Sequence, residues 1–142
     1  GMLRIEMRAL PAGPTPVDMV ANAAFLIGLA EGIRPRINEL LPAIPFPIAE
    51  YNFYRAAQYG LDAKLVWPGF AQSGHKEQAV SEVIEASLPL ASEGLARVGI
   101  DSAEAARYLG VIEQRLASRR TGGHVKINCA NRYQNVIEPI QH

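Results

Sequence analysis

Three groups of residues have the types and spacing for chemistry. The first is Arg4, Glu6 and Arg8, every second residue in Leu3–Leu10. Alternation along a strand puts these three on one face and Leu3, Ile5, Met7 and Ala9 on the other. A carboxylate flanked by two guanidinium forks could ligate a divalent cation and hold a carboxylate or phosphate. The same row also fits a solvated sheet face with cross-strand ion pairs. The second group is Arg119, Arg120 and Lys126 around Thr121-Gly122-Gly123-His124, where a glycine turn beside basic groups suits an anion. Cations there are equally expected from the dipole of a preceding helix. The third is Asn52 and Arg55 among Tyr51, Phe53, Tyr54 and Tyr59, polar groups that either hydrogen-bond inside the core or line a cleft. The tyrosine-rich cluster itself reads as packing.

Other chemistries have little support. The chain carries no phosphate-binding P-loop, no dinucleotide fingerprint, no H-E-x-x-H and no nucleophile elbow. His75, His124 and His142 are far apart, and His124 with Cys129 lacks the spacing of zinc ligands. Lys+Arg and Asp+Glu are both 14, so there is no basic excess to neutralise nucleic-acid phosphates. Cys129 is the single cysteine, which excludes an intrachain disulfide and makes the cytoplasm the default expectation. The apolar stretch Met19–Ala30 is interrupted by Asn22 and falls short of the roughly 20 residues that span a bilayer, so a membrane partner is not expected.

The elements that would position these groups are mainly helical. Thr15-Pro16-Val17-Asp18 is a strong helix start, with a Thr cap, proline in the first turn and a carboxylate beside the N-terminal dipole. The helix should run to about Gly32, and its nearly all-round apolar character predicts burial on most sides. A short helix over Arg36–Leu41, opened by Pro35, follows, then an extended connector enforced by Pro42, Pro45 and Pro47, with Pro47 able to start the next helix. A helix over Ile48–Tyr59 ends at Gly60, and 60–68 leaves as a turn and a short extended piece. A long helix from about His75 to Val98 should be kinked by Pro89. After Gly99, Asp101 or Ser102 caps a helix over Ala103–Arg120, with Ala106, Leu109, Val111, Ile112 and Leu116 on one face. In the tail His124–His142, His-Val-Lys-Ile-Asn alternates like a strand, whereas Cys129–Val136 fits a helical turn or two; helix is expected. The sum is a single, mainly α domain, a bundle of about five helices preceded by one N-terminal strand. A lone strand needs a partner from outside the chain, a second copy or a separate sheet.

Three stretches together resemble the C-terminal part of the carboxylate-amine ligase family related to glutamate–cysteine ligase. They are Arg4–Leu10 with Pro14–Asp18, then Tyr51-Asn52-Phe53-Tyr54-Arg55-Ala56-Ala57-Gln58-Tyr59-Gly60-Leu61-Asp62-Ala63, then Arg120-Thr121-Gly122-Gly123. That family is ATP-dependent and magnesium-requiring, with a glutamine-synthetase-like catalytic sheet. The resemblance implies that Glu6 is a metal-ligating carboxylate and that Arg8, with Arg4 beside it, binds substrate or phosphate. It implies activation of a carboxylate as an acyl phosphate, followed by amine attack. It further implies that Mg and ATP belong to a complete parent ligase and that neither is expected for this chain alone. The strand over 3–10 would join that ligase's sheet. A helical interaction or oligomerisation module, a homodimer through the same strand, is the competing expectation.

Overall fold

The computed structural model describes Glu6, Leu10 and residues 13–68 and 75–121. The expected strand over 3–10 and the tail 124–142 therefore lie outside the described residues, apart from Glu6 and Leu10, both exposed. The described part is mostly helical with one small antiparallel sheet. In chain order it runs α1 (Pro16–Ile33), a 3-10 turn (Arg34–Arg36), α2 (Ile37–Ala43), α3 (Phe46–Tyr59), a second 3-10 turn (Gly60–Asp62), β1 (Lys64–Pro68), β2 (His75–Ala79), α4 (Val80–Arg97) and α5 (Ser102–Ser118).

Helix α1 starts as its sequence dictates. The Thr15 hydroxyl oxygen accepts the Asp18 N–H at 3.2 Å, and the Asp18 carboxylate accepts the Thr15 N–H at 3.1 Å, a reciprocal capping box. The other end is finished from a distance. Pro35 has no N–H for the Glu31 carbonyl, and Arg97 of α4 donates to that oxygen at 3.0 Å and to the Gly32 carbonyl at 3.3 Å.

Packing gathers three helices, α1, α4 and α5. Ala21, Leu88, Ala91, Leu95, Ala105, Leu109 and Ile112 form their buried core, and each large aliphatic there contributes about 1.5–3 kcal/mol of burial. Glycine sets the α1–α4 distance. A Cβ on Gly94 would fall inside the van der Waals shell of the Gly28 carbonyl oxygen and 2.6 Å from the Gly32 nitrogen. Cβ atoms on Gly28 and Gly32 would strike the Ala91 and Leu90 carbonyls of α4. Backbone thus lies against backbone, a contact that no side-chain-bearing residue allows.

The expected burial of α1 on most sides is corrected. Its buried residues are Ala21, Gly28 and Gly32, while Val17, Met19, Val20 and Ile27 are each more than two-fifths exposed. Among the described residues the helices that pack against it are chiefly α4 and α5, and these leave part of an all-round apolar helix exposed. Helical structure continues to Leu40, so the run from Pro16 is long and apolar enough to cross a membrane by length and composition, unlike the shorter Met19–Ala30 stretch read from sequence.

The proline-rich connector is also corrected. Pro42 lies in the last turn of α2 and Pro45 is the N-cap of α3, while Pro47 sits in the first turn of α3 as expected of a helix-starting proline, where a missing N–H costs nothing. His75–Ala79 is strand β2 rather than the start of the long helix. It pairs antiparallel with β1, Leu65 opposite Gln78 and Val66 opposite Glu77. The helix begins only at Val80, where the Glu82 carboxylate accepts the Ala79 N–H at 3.3 Å and Val80 donates to the Ala63 carbonyl at 3.0 Å. Ala63, Leu65 and Val80 make a second small core under this corner. Asp101 caps α5, accepting from Ala103 N–H at 2.9 Å. The buried face of α5 is Ala105, Leu109 and Ile112, with Ala106 exposed. Arg119 ends α5 with φ 52°, a left-handed conformation unusual for a residue with a Cβ.

The glycine contact yields a paired stability test. Gly94→Ala should cost about 3 kcal/mol or more, because helix backbone cannot yield to a methyl group. Gly110→Ala, at a helix position with nothing within 4 Å of the added carbon, should instead gain about 1 kcal/mol. Denaturant midpoints of the two variants against the parent check both signs.

Candidate functional site

A cleft of about 540 Å³ opens where the start of α1 meets the end of α5. Its walls include Thr15 and Asp18 from the first turn of α1, Gln114, Arg115 and Ser118 from α5, and Arg120 and Thr121 beyond it. Arg115 ties the two helices together. One nitrogen of its guanidinium donates to the Asn22 side-chain oxygen at 2.6 Å. Another donates to the Asp18 carboxylate at 2.5 Å and to the Asp18 carbonyl at 3.3 Å. Both side chains of the ion pair are about four-fifths shielded, with 21% and 17% exposed for Arg115 and Asp18. The Thr15 hydroxyl also donates to the other Asp18 oxygen at 2.7 Å.

These hydrogen bonds decide what Asp18 can do. The Arg115 guanidinium first, and the Thr15 hydroxyl after it, hold the Asp18 carboxyl below the usual carboxylate range against the opposing effect of burial. A carboxylate so engaged is a poor general base and serves as an anchor. Arg115 is likewise committed. The cationic group the cleft still offers is the exposed Arg120, whose backbone N–H is fixed on the Arg115 carbonyl at 3.2 Å. The Ser118 hydroxyl donates back to the Gln114 carbonyl at 2.7 Å. Chemically the cleft suits one anionic group, a carboxylate or phosphate oxygen, approached by Arg120 beside hydroxyl-bearing walls.

A second ion pair adjoins it. Arg119 pairs with Asp62, bringing the turn after α3 to the end of α5. Both partners are exposed, so the pair carries little energy and marks proximity more than stability.

The other candidates have varied places. Arg4, Arg8 and Lys126 lie outside the described residues, as do His124 and Cys129; Glu6 is exposed. Asn52 is buried and acts as a strut: its amide donates to the Val66 carbonyl and its oxygen accepts the Val66 N–H, both at 2.8 Å. It occupies the place of a neighbouring strand along the outer edge of β1. Arg55 stacks over Tyr59 at 4.5 Å and lies 5.9 Å from the centre of Tyr51, and its buried Nε has no hydrogen-bond partner. The reading of the tyrosines as packing is corrected, since Phe53 and Tyr54 are 58% and 64% exposed and Tyr51 and Tyr59 more than two-fifths. Only the Asn52 and Ala56 side of α3 meets β1 and the small core.

Among the described residues no three of His, Cys, Asp and Glu gather into a cation site. Glu6 is the described member of the row expected to ligate a divalent cation. Sequence reasoning missed the Asp18–Asn22–Arg115 cluster. Its signal was present: two polar residues four apart on an otherwise apolar helix face the same way, and each needs a partner.

Two outcomes follow from this geometry. Because the folded Asp18 carboxyl binds its proton less tightly than the unfolded one, the pair's stabilisation is complete above about pH 4 and is lost as pH falls through the lowered folded value. Urea midpoints should therefore drop on acidification more for the parent than for Asp18→Asn. Asn52→Ala leaves the Val66 amide and carbonyl without partners and should cost about 1–3 kcal/mol, read from the same titrations. Comparison with protein-family models, curated proteins and solved structures finds no match to this chain.

Proposed function

We propose that this chain is the helical C-terminal portion of an ATP-dependent carboxylate-amine ligase of the glutamate–cysteine ligase-like kind, inactive alone. In this reading the bundle carries the segment with Arg4, Glu6 and Arg8 to the edge of a catalytic sheet supplied from outside the chain, where ATP and magnesium bind. One observation carries it. Described residues of the three stretches, Thr15 and Asp18, Asp62, and Arg120 and Thr121, are far apart in sequence yet lie around the end of α5. Thr15 and Asp18 are bonded to Arg115, Asp62 is paired with Arg119, and Arg120 and Thr121 line the cleft between. A ligase that activates a carboxylate as an acyl phosphate needs several convergent cationic groups. Arg8 and Arg120, with Lys126 beyond the turn, are the contribution of this chain.

The exposed aromatic face of α3 favours a second reading, a helical interaction module without a catalytic role. Phe46 is 77% exposed, and Phe53 and Tyr54 sit edge to face at 5.7 Å on the surface. Contiguous exposed apolar surface of this kind marks contact sites. This module would be cytoplasmic and dimeric.

Reconstitution separates the two. The purified chain should release no ADP from ATP with glutamate, cysteine and magnesium. Co-expressed with a neighbouring or in-frame segment that supplies the acidic strands, it should do so. Glu6→Gln or Arg8→Ala should then lower the rate about 100-fold without moving the melting temperature. Activity of the chain alone, lost on Glu6→Ala, would refute its incompleteness. Failure of every such complement, with a concentration-dependent dimer in sedimentation, would favour the interaction module.

A further inference from the structure

Arg55 differs from most arginines of the fold. Arg34, Arg36, Arg97, Arg115 and Arg119 each engage a carboxylate or carbonyl oxygen. Arg55 engages rings instead. Its Cζ lies 4.5 Å from the centre of Tyr59 and 5.9 Å from that of Tyr51, and among the described residues it has neither a hydrogen bond nor an ion pair. Tyr51, Arg55 and Tyr59 follow at intervals of four, so they form one stripe along α3, with a ring one turn before the guanidinium and another one turn after it.

The stripe leaves donors without acceptors. The Nε of Arg55 is buried and unpartnered, whereas buried polar groups in native proteins are overwhelmingly paired. A long arginine stem on a helix surface is free to carry its head into water, so a guanidinium held on a ring with a buried donor is oriented at a cost. Nearby acids do not relieve it. Glu50 stands about 140° round α3 from Arg55, and Asp62 is already paired with Arg119. The Tyr51 and Tyr59 hydroxyls are donors that likewise have no hydrogen bond among the described residues.

The chemistry of the missing acceptor follows from shape and charge. A planar guanidinium fork meets a carboxylate through two parallel N–H···O bonds. One guanidinium also balances the single charge of a carboxylate, while a phosphate brings about 1.5–2 negative charges. Both tyrosines are more than two-fifths exposed, so the stripe opens to solvent. Exposed side chains change rotamer within nanoseconds, and a ring over Nε does not bar an acid that approaches side-on.

We propose that Tyr51, Arg55 and Tyr59 form a binding site for one carboxylate group, with Arg55 as the bidentate donor and the two rings as walls that orient it. A small free acid and the glutamate side chain of a peptide present this same group. The site rests on neither reading of function above, since it concerns only the acceptor that this guanidinium takes.

The Nε–H signal of Arg55 in a nitrogen-15 spectrum, identified by its loss in Arg55→Lys, reports on the site directly. Sodium glutarate should shift it saturably at about millimolar concentration, and at least tenfold more tightly than sodium phosphate at equal ionic strength. Arg55→Lys keeps the charge and loses the fork, and should weaken binding about tenfold, followed through the backbone amides of residues 51–59. Tyr59→Leu should weaken it about threefold. Arg107→Gln, which removes a guanidinium over the single ring of Tyr108, should leave it unchanged. A blocked leucine–glutamate–leucine peptide and its glutamine counterpart identify the source. A glutamate peptide that binds tenfold more tightly than glutarate assigns the site to a protein side chain, and one that binds no more tightly assigns it to a free acid. Absence of a saturable shift with both glutarate and the glutamate peptide overturns the proposal. So does phosphate that binds as tightly as glutarate, a glutamine peptide that binds as tightly as the glutamate one, or undiminished binding by Arg55→Lys.

Discussion

The close approach of α1 to α4 is the constraint on which the rest of the structure depends. Gly28 and Gly32 on one helix and Gly94 on the other let two backbones touch where side chains would hold them apart. Helices pack at 8–10 Å when side chains intervene, so glycines at the crossing shorten that distance and fix where along each helix it occurs. With the crossing fixed, Arg97 reaches the carbonyls that Pro35 leaves without a donor, and Asp18 and Asn22 are turned towards α5. The price is incomplete burial of an apolar helix: Val20 and Ile27 stay exposed along a cavity that they line with Leu95 of α4 and Ala105 and Tyr108 of α5.

The cleft at the other end of α1 depends on a different kind of interaction. There the largely shielded Asp18–Arg115 pair holds α1 to α5, and further hydrogen bonds from Thr15 and to Asn22 satisfy both partners. A shielded pair with its remaining hydrogen-bonding capacity filled positions its neighbours well, whatever its net contribution to stability. The exposed Asp62–Arg119 pair follows from that positioning and does not cause it. Among the described residues the cleft thus presents one uncommitted cationic side chain, Arg120, beside committed groups, which suits an anionic group.

Much of this was legible in the chain. The Thr15-Pro16-Val17-Asp18 start, the end of α3 at Gly60 and the Asp101 cap follow from local hydrogen-bonding capacity and backbone preference, and the structure has each of them. Asn52 was recognisable as a polar residue needing a partner, but the choice between a core hydrogen bond and a cleft depended on where β1 would run. Strand β2 was hidden because His-Lys-Glu-Gln-Ala carries no apolar alternation, and its strand character comes from its pairing with β1. Similarly, Pro42 was compatible with an extended connector or with the last turn of a helix, and local sequence does not distinguish them.

The sequence by itself determined the helical class, the positions where most helices begin and end, and the polar residues that could not be buried alone. These depend on properties of a few neighbouring residues: caps, prolines, glycines and the period of apolar positions. Tertiary structure alone decided which faces meet. A nearly all-round apolar α1 could have been covered on any side, and the glycine crossing with α4 selected one. Only the folded chain brings Asp18 to Arg115 and Asp62 to Arg119, because contacts between residues so far apart depend on the packing of whole helices and leave no local trace.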